Sequence, residues 1–240
     1  MKLPTISEKR RLPSPAVTPQ ALAWDSQKHL LWIGSRDLRR IYSIDPEKWT
    51  VIEERDAPGI PWAAVATNGD LRFTIGEGAD DDRYVYRYQT GSGFSKLFAC
   101  PDLTGSYLSF DGEQLYLSQW YQQRILKYDR AGNILGQIDV GAEICGHTVV
   151  DGTMYILRGT ENVPRPTYAE GPPTAARFSS GAKPGEEQWW IGRFNPREEK
   201  PEITDIAKVP FACRSLTFDG ANFWSNHRAA NETVCFSLPD

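Results

Sequence analysis

The side chains of this sequence with the widest chemical reach are two histidines, His147 and His227, and several arginines interleaved with large aromatics. His147 stands in Ile-Cys-Gly-His-Thr, where Gly146 lets the backbone come close. An imidazole titrating near pH ~6.5 can act as general acid or base, or it can tie neighbouring elements together by hydrogen bonds. Arg214 can clamp a carboxylate or phosphate at two points, or bridge backbone carbonyls. Gln20 can orient a substrate, and Trp62, Tyr107, Trp120 and Tyr121 offer faces for stacking. Arg36, Glu77, Arg158 and His227 add polar groups around them. The chemistry this set suits is metal-independent acid/base work of lyase, cyclase or hydrolase type on a small polar or anionic molecule. His147 is then the proton carrier, with Arg214 and Gln20 orienting or stabilising charge. The same residues also suit a non-catalytic ligand- or protein-binding role, lectin-like or scaffold-like. The run Asp80-Asp81-Asp82 lacks the alternating ligands of a calcium loop and reads as exposed.

These residues are gathered by a repeat. Five segments read as a strand, an Asp or Asn at a turn, and a second strand rich in aromatics. The turn residues are Asp25, Asn68, Asp111, Asp151 and Asp219, spaced by 43, 43, 40 and 68. Asn-Gly or Asp-Gly follows in four of the five, the signal of a tight hairpin. A third strand of period-two pattern comes next, beginning near Arg40, Tyr84, Arg124, Trp190 and Thr233. A more polar fourth strand follows all but the last of these. The missing strand is found at the other end, where Leu3–Pro13 matches Lys200–Pro210 in length, prolines and alternation. A four-stranded unit of this period predicts an all-β fold, a five-bladed β-propeller whose N-terminal strand closes the last blade, in one domain over residues 1–240.

The one irregularity is an insertion at 159–188 in the fourth unit. Its five prolines exclude regular structure, and its position places it as a lid over the face where the inner strands begin. On that face the residues before each inner strand and those after each second strand meet. This is why Gln20, Trp62, Tyr107, His147 and Arg214 are expected to share one rim with Arg36, Glu77, Trp120, Tyr121, Arg158 and His227. His29 falls in the first hairpin turn, on the opposite face.

The segments A-L-A-W-D…L-L-W-I-G-S, G-E-Q-L-Y-L-S-Q-W-Y-Q-Q-R-I-L-K-Y-D and S-L-T-F-D-G-A-N-F-W-S-N-H resemble blades of the gluconolactonase and streptogramin-lyase superfamily. The count of five resembles the plant-type glutaminyl cyclases, as does T-P-Q-A-L-A-W-D with its Gln20. The first resemblance implies a divalent metal held five residues before each turn. Here those positions are Gln20, Ala63, Ser106, Gly146 and Arg214, of which only Gln20 can ligate, so neither metal nor other cofactor is expected.

With 31 acidic and 27 basic residues, a net charge of −4 and no long apolar run, neither nucleic acid nor a membrane is the expected partner. The start carries no signal-peptide pattern, so a cytoplasmic monomer is the expectation. Cys100, Cys145, Cys213 and Cys235 form no C-x-x-C pair and are expected reduced, with a Cys145–Cys213 pairing left open.

Overall fold

A computed structural model describes residues 3–160 and 187–239. The chain forms five four-stranded antiparallel sheets. Strand β1 (Ser7–Pro13) comes first and belongs to the last sheet. Blade 1 is β2 (Pro19–Asp25), β3 (Leu30–Ser35), β4 (Arg40–Asp45) and β5 (Thr50–Asp56). Blade 2 is β6 (Ile60–Ala66), β7 (Leu71–Glu77), β8 (Asp82–Gln89) and β9 (Gly93–Ala99). Blade 3 is β10 (Leu108–Phe110), β11 (Leu115–Gln119), β12 (Arg124–Tyr128) and β13 (Ile134–Asp139). Blade 4 is β14 (Glu143–Val150), β15 (Thr153–Gly159), β16 (Trp189–Phe194) and β17 (Thr204–Val209). Blade 5 is β18 (Cys213–Phe218), β19 (Phe223–His227) and β20 (Glu232–Ser237), completed by β1. The innermost strands β2, β6, β10, β14 and β18 touch in cyclic order, which makes the array a five-bladed propeller.

The turn residues work differently from the tight-hairpin expectation. Only Asp151-Gly152 forms a two-residue turn with positive φ at both positions, 48° and 76°. The other four turns span four residues. In blades 1, 3 and 5 the turn aspartate accepts two backbone N–H groups through Oδ1, as Asp111 does from Glu113 and Gln114. In blades 3 and 5 Oδ2 also accepts from an aromatic of the second strand, Tyr116 or Trp224. This links the turn residue to the aromatic-rich strand that follows it in the repeat.

Apolar residues fill the wedges between blades. Trp32 of blade 1 meets Tyr88 of blade 2 edge-on at 5.4 Å, and Phe98 of blade 2 stacks on Tyr128 of blade 3 at 5.3 Å. Closure goes further than the matched segments implied. β1 pairs with β20 antiparallel, Arg11 against Val234, so it does complete the last sheet. Just before it, Thr5 pairs in parallel with Lys208 on the outer strand of blade 4, through Ile6 N to Lys208 O at 3.0 Å and Lys208 N to Pro4 O at 2.7 Å. One segment thus clasps two blades.

All four cysteines are buried, and none forms a disulfide among the described residues. Among the described residues no helix is long and apolar enough to cross a membrane. Most of the segment at 159–188, expected to act as a lid, lies outside the described residues. Its two roots meet, with Thr160 N donating to Gln188 O and Gln188 N to Thr160 Oγ1.

Candidate functional site

Each inner strand enters the channel through a β-bulge. The register shifts at Pro19/Ala21, Pro61/Ala63, Ile144/Gly146 and Arg214/Thr217. In blade 3, Ser106 and Tyr107 both oppose Ser118. A bulge leaves one residue out of the ladder and re-aims its side chain. Gln20 and Trp62 are such residues, at equivalent places in blades 1 and 2.

At this mouth lies a cavity of about 220 Å³. Blade 1 contributes Arg36, blade 2 Trp62 and Arg83, blade 3 Ser106, Tyr107, Trp120 and Tyr121, and blade 5 Arg214 and Arg228. Four guanidinium groups therefore share one wall with two indoles, two phenols and a serine, and no carboxylate is among the described lining residues. Six of the residues expected at the rim line the cavity: Arg36, Trp62, Tyr107, Trp120, Tyr121 and Arg214.

Local partners hold the like charges in place. Arg83 lies 3.9 Å from the centre of the Trp62 ring, donates to the Gly105 carbonyl at 2.7 Å and pairs with Asp81 at 2.9 Å. The other carboxylate oxygen of Asp81 accepts from Trp62 Nε1 at 2.8 Å, so a single aspartate orients both groups. Arg36 sits 5.4 Å from the same indole. Arg214 Nη1 donates to its neighbouring carbonyl, Cys213 O, at 2.7 Å and lies 3.8 Å from Cys145 Sγ. Trp120 and Tyr121 meet edge-on at 4.8 Å.

Beneath the wall, buried Gln20 accepts from Arg228 at 2.6 Å and donates to the Trp62 carbonyl at 3.3 Å and to the Tyr107 hydroxyl at 3.2 Å. Burial pushes the Tyr107 phenol up to about 12, against the opposing pull of Arg214, Gln20 and Arg228.

Four expected rim residues are elsewhere, each held by a partner on its own or a neighbouring blade. Glu77 accepts from Tyr86 and from Lys96 at 2.7 Å. Burial opposes the Glu77 charge, but these two hydrogen bonds outweigh it and hold the carboxyl below its ordinary range. Arg158 is ion-paired with Asp205 on β17. His227 lies against Phe211 at 5.4 Å, with Arg11 and Glu232 beside Nδ1.

His147 is the largest correction to the expected arrangement. It is 1% exposed, does not line the cavity, and joins blades 3 and 4 through Nδ1 and Ser109 Oγ at 2.7 Å. Burial pushes its imidazole down to about 3, partly opposed by the Tyr107 backbone, so the ring is neutral at pH 7. Gly146 is needed for close approach: a Cβ there would lie 2.5 Å from the backbone of Ser215 in blade 5.

Arg83 is not singled out by the sequence, whereas Arg228, beside His227 in the loop after the last second strand, falls at the rim in a stretch that favours a solvated position over a role, and it lines the cavity. Arg83 falls ahead of the alternating run that begins at Tyr84, whereas β8 starts earlier, at Asp82. The signal for it was present in Arg40 and Arg124, which open the third strands of blades 1 and 3. Among the described residues no group of three or more His, Cys, Asp or Glu side chains is placed to hold a metal. The divalent metal implied by the family resemblance does not fit this donor set, since Gln20 Oε1 is taken by Arg228 and Arg214 stands at the mouth.

No family model and no curated protein sequence matches the chain. Solved structures do. The glutaminyl cyclase of Myxococcus xanthus superposes with a TM-score of 0.66 at 8% identity, covering 100% of both chains. The calcium-binding protein regucalcin from Agrobacterium tumefaciens gives 0.58 at 11% identity, covering 99% of this chain and 96% of its own. A catalytically inactive virginiamycin B lyase from Staphylococcus aureus, solved with quinupristin, gives 0.54 at 14% identity, covering 95% and 83%. The resemblance read from the blade segments is thus met at the level of the fold: this chain is a β-propeller built like those of a lyase, a cyclase and regucalcin.

Proposed function

We propose that the protein acts on a small anionic molecule, a carboxylate or phosphate joined to a planar group, held in the channel-mouth cavity. The observation that carries this reading is the wall itself, four guanidinium groups beside two indoles with no described carboxylate among them. A guanidinium has five N–H donors in a fixed fork, and the protein contacts of Arg36 and Arg83 leave several of them for ligand oxygens. The indoles and phenols offer faces to the planar part. At about 220 Å³ the cavity has room for a small aromatic acid.

The asymmetry supports chemistry over a lectin-like or scaffold role, because blades 1, 2, 3 and 5 each bring different residues to one site. In a lyase, cyclase or hydrolase step here, the arginines would stabilise developing negative charge and His147 would have no part in proton transfer. The test is titration with phenyl phosphate, followed by tryptophan fluorescence. Saturable quenching that weakens with salt, and weakens about tenfold in Arg36→Gln, supports the reading. No response to millimolar phenyl phosphate, benzoate or inorganic phosphate refutes it.

A further inference from the structure

We infer that the Tyr107 hydroxyl donates a hydrogen bond to an acceptor oxygen of the ligand, and that Gln20 is the positioning residue that turns its proton into the cavity. The inference rests on the anion-binding reading above and adds a requirement at the cavity floor.

The orientation of the Gln20 amide is fixed by two partners of opposite, single character. Arg228 can only donate, so the atom 2.6 Å from it must be Oε1. The Trp62 carbonyl can only accept, so the atom 3.3 Å from it must be Nε2. A flipped amide would set NH₂ against guanidinium and oxygen against carbonyl, two repulsive contacts on a side chain that is 1% exposed. Nε2 therefore donates to Tyr107 Oη. A phenol oxygen that accepts from an amide must send its own proton elsewhere. No hydrogen bond from this hydroxyl to a described residue takes that proton up.

The phenol stays protonated at neutral pH, because burial disfavours its anion. Tyr107 lines the cavity, and its hydroxyl lies 3.2 Å from Gln20, whose Oε1 is held at 2.6 Å by Arg228, another lining residue. Tyr107 is thus a donor turned away from Gln20, in a wall that also holds Arg214 and Arg228. The floor selects an oxygen that accepts, and disfavours an ammonium or amide N–H in the same place.

The experiment compares phenyl phosphate binding by wild type and Tyr107→Phe, which keeps the ring and removes only the O–H. Loss of a hydrogen bond to a charged acceptor raises Kd about tenfold or more. An unchanged Kd in a folded Tyr107→Phe overturns the inference and leaves the anion-binding reading intact. Absence of binding by wild type removes that reading and the inference with it. A neutron map of deuterium-exchanged protein gives a second measurement that needs no folded Tyr107 variant. In wild type the Tyr107 deuteron points into the cavity, and in Gln20→Glu it turns to the new carboxylate. A wild-type deuteron aimed at residue 20 overturns the assignment.

Discussion

Gly76 tests how the cavity wall is assembled. A Cβ at this position would lie 1.7 Å from Asp81 Oδ1 and 2.8 Å from both Asp81 Cγ and Trp62 Nε1, far inside van der Waals contact. The group able to move is the Asp81 side chain, and moving it breaks the bond to Trp62 at 2.8 Å and the pair with Arg83 at 2.9 Å. Hydrogen bonds to charged groups contribute ~1.5–3 kcal/mol each, and the partial exposure of this pair places them at the low end. Against this, a Gly→Ala change gains ~0.4–1 kcal/mol from the unfolded chain. The net loss for Gly76→Ala is about 2 kcal/mol, which lowers Tm by about 4–8 °C in a chain of this size. Calorimetry on wild type, Gly76→Ala, Asp81→Ala and the double variant measures it. Once Asp81 is trimmed the main clash is gone, so the double variant should melt within about 2 °C of Asp81→Ala. Fully additive losses, or a Gly76→Ala protein that melts like wild type, would refute the proposed linkage between this glycine and the wall.

Two further outcomes follow from the fold. Deleting Met1–Arg11 removes most of β1 and the Thr5–Lys208 bridge, baring the edges of β17 and β20. The truncated protein should melt at least ~10 °C lower, an estimate of several kcal/mol at 2–4 °C each, and self-associate by light scattering; a monodisperse protein with unchanged Tm contradicts the clasp. His147 should make the fold acid-sensitive. Between its ordinary pKa of 6.5 and its folded value of about 3 the unfolded chain binds a proton that the folded chain does not. Stability therefore falls as pH drops through that window, by up to ~1.4 kcal/mol per pH unit. His147→Gln should flatten the fall between pH 6.5 and 4.5; parallel curves for the two proteins would show that the ring is not held neutral.

The blades were legible because turn residues and period-two strands survive in the sequence even where the turn geometry differs. The closing strand was legible because prolines bound it as they bound its counterpart in blade 4. Six cavity residues could be placed from topology alone, because strand ends in a closed ring share a rim. What topology does not show is the phase of a side chain at a bulge, where one skipped residue reverses inward and outward. His147 follows the bulge at Ile144/Gly146 and is turned into the blade contact with Ser109. Arg158, Glu77 and His227 were lost differently, each drawn to a nearby partner, Asp205, Lys96 or Arg11, that no motif announced.

The double clasp at the N-terminus also orders events in time. Arg11 and Val234 are register partners more than two hundred positions apart, so the strand synthesised first waits for one made more than two hundred residues later before their hydrogen bonds form. Such non-local pairing slows folding, and until it is made blades 4 and 5 each carry a raw edge. The vulnerable species of this protein is the nascent ring with its gap still open, and chaperone demand should fall sharply once Glu232–Ser237 has emerged.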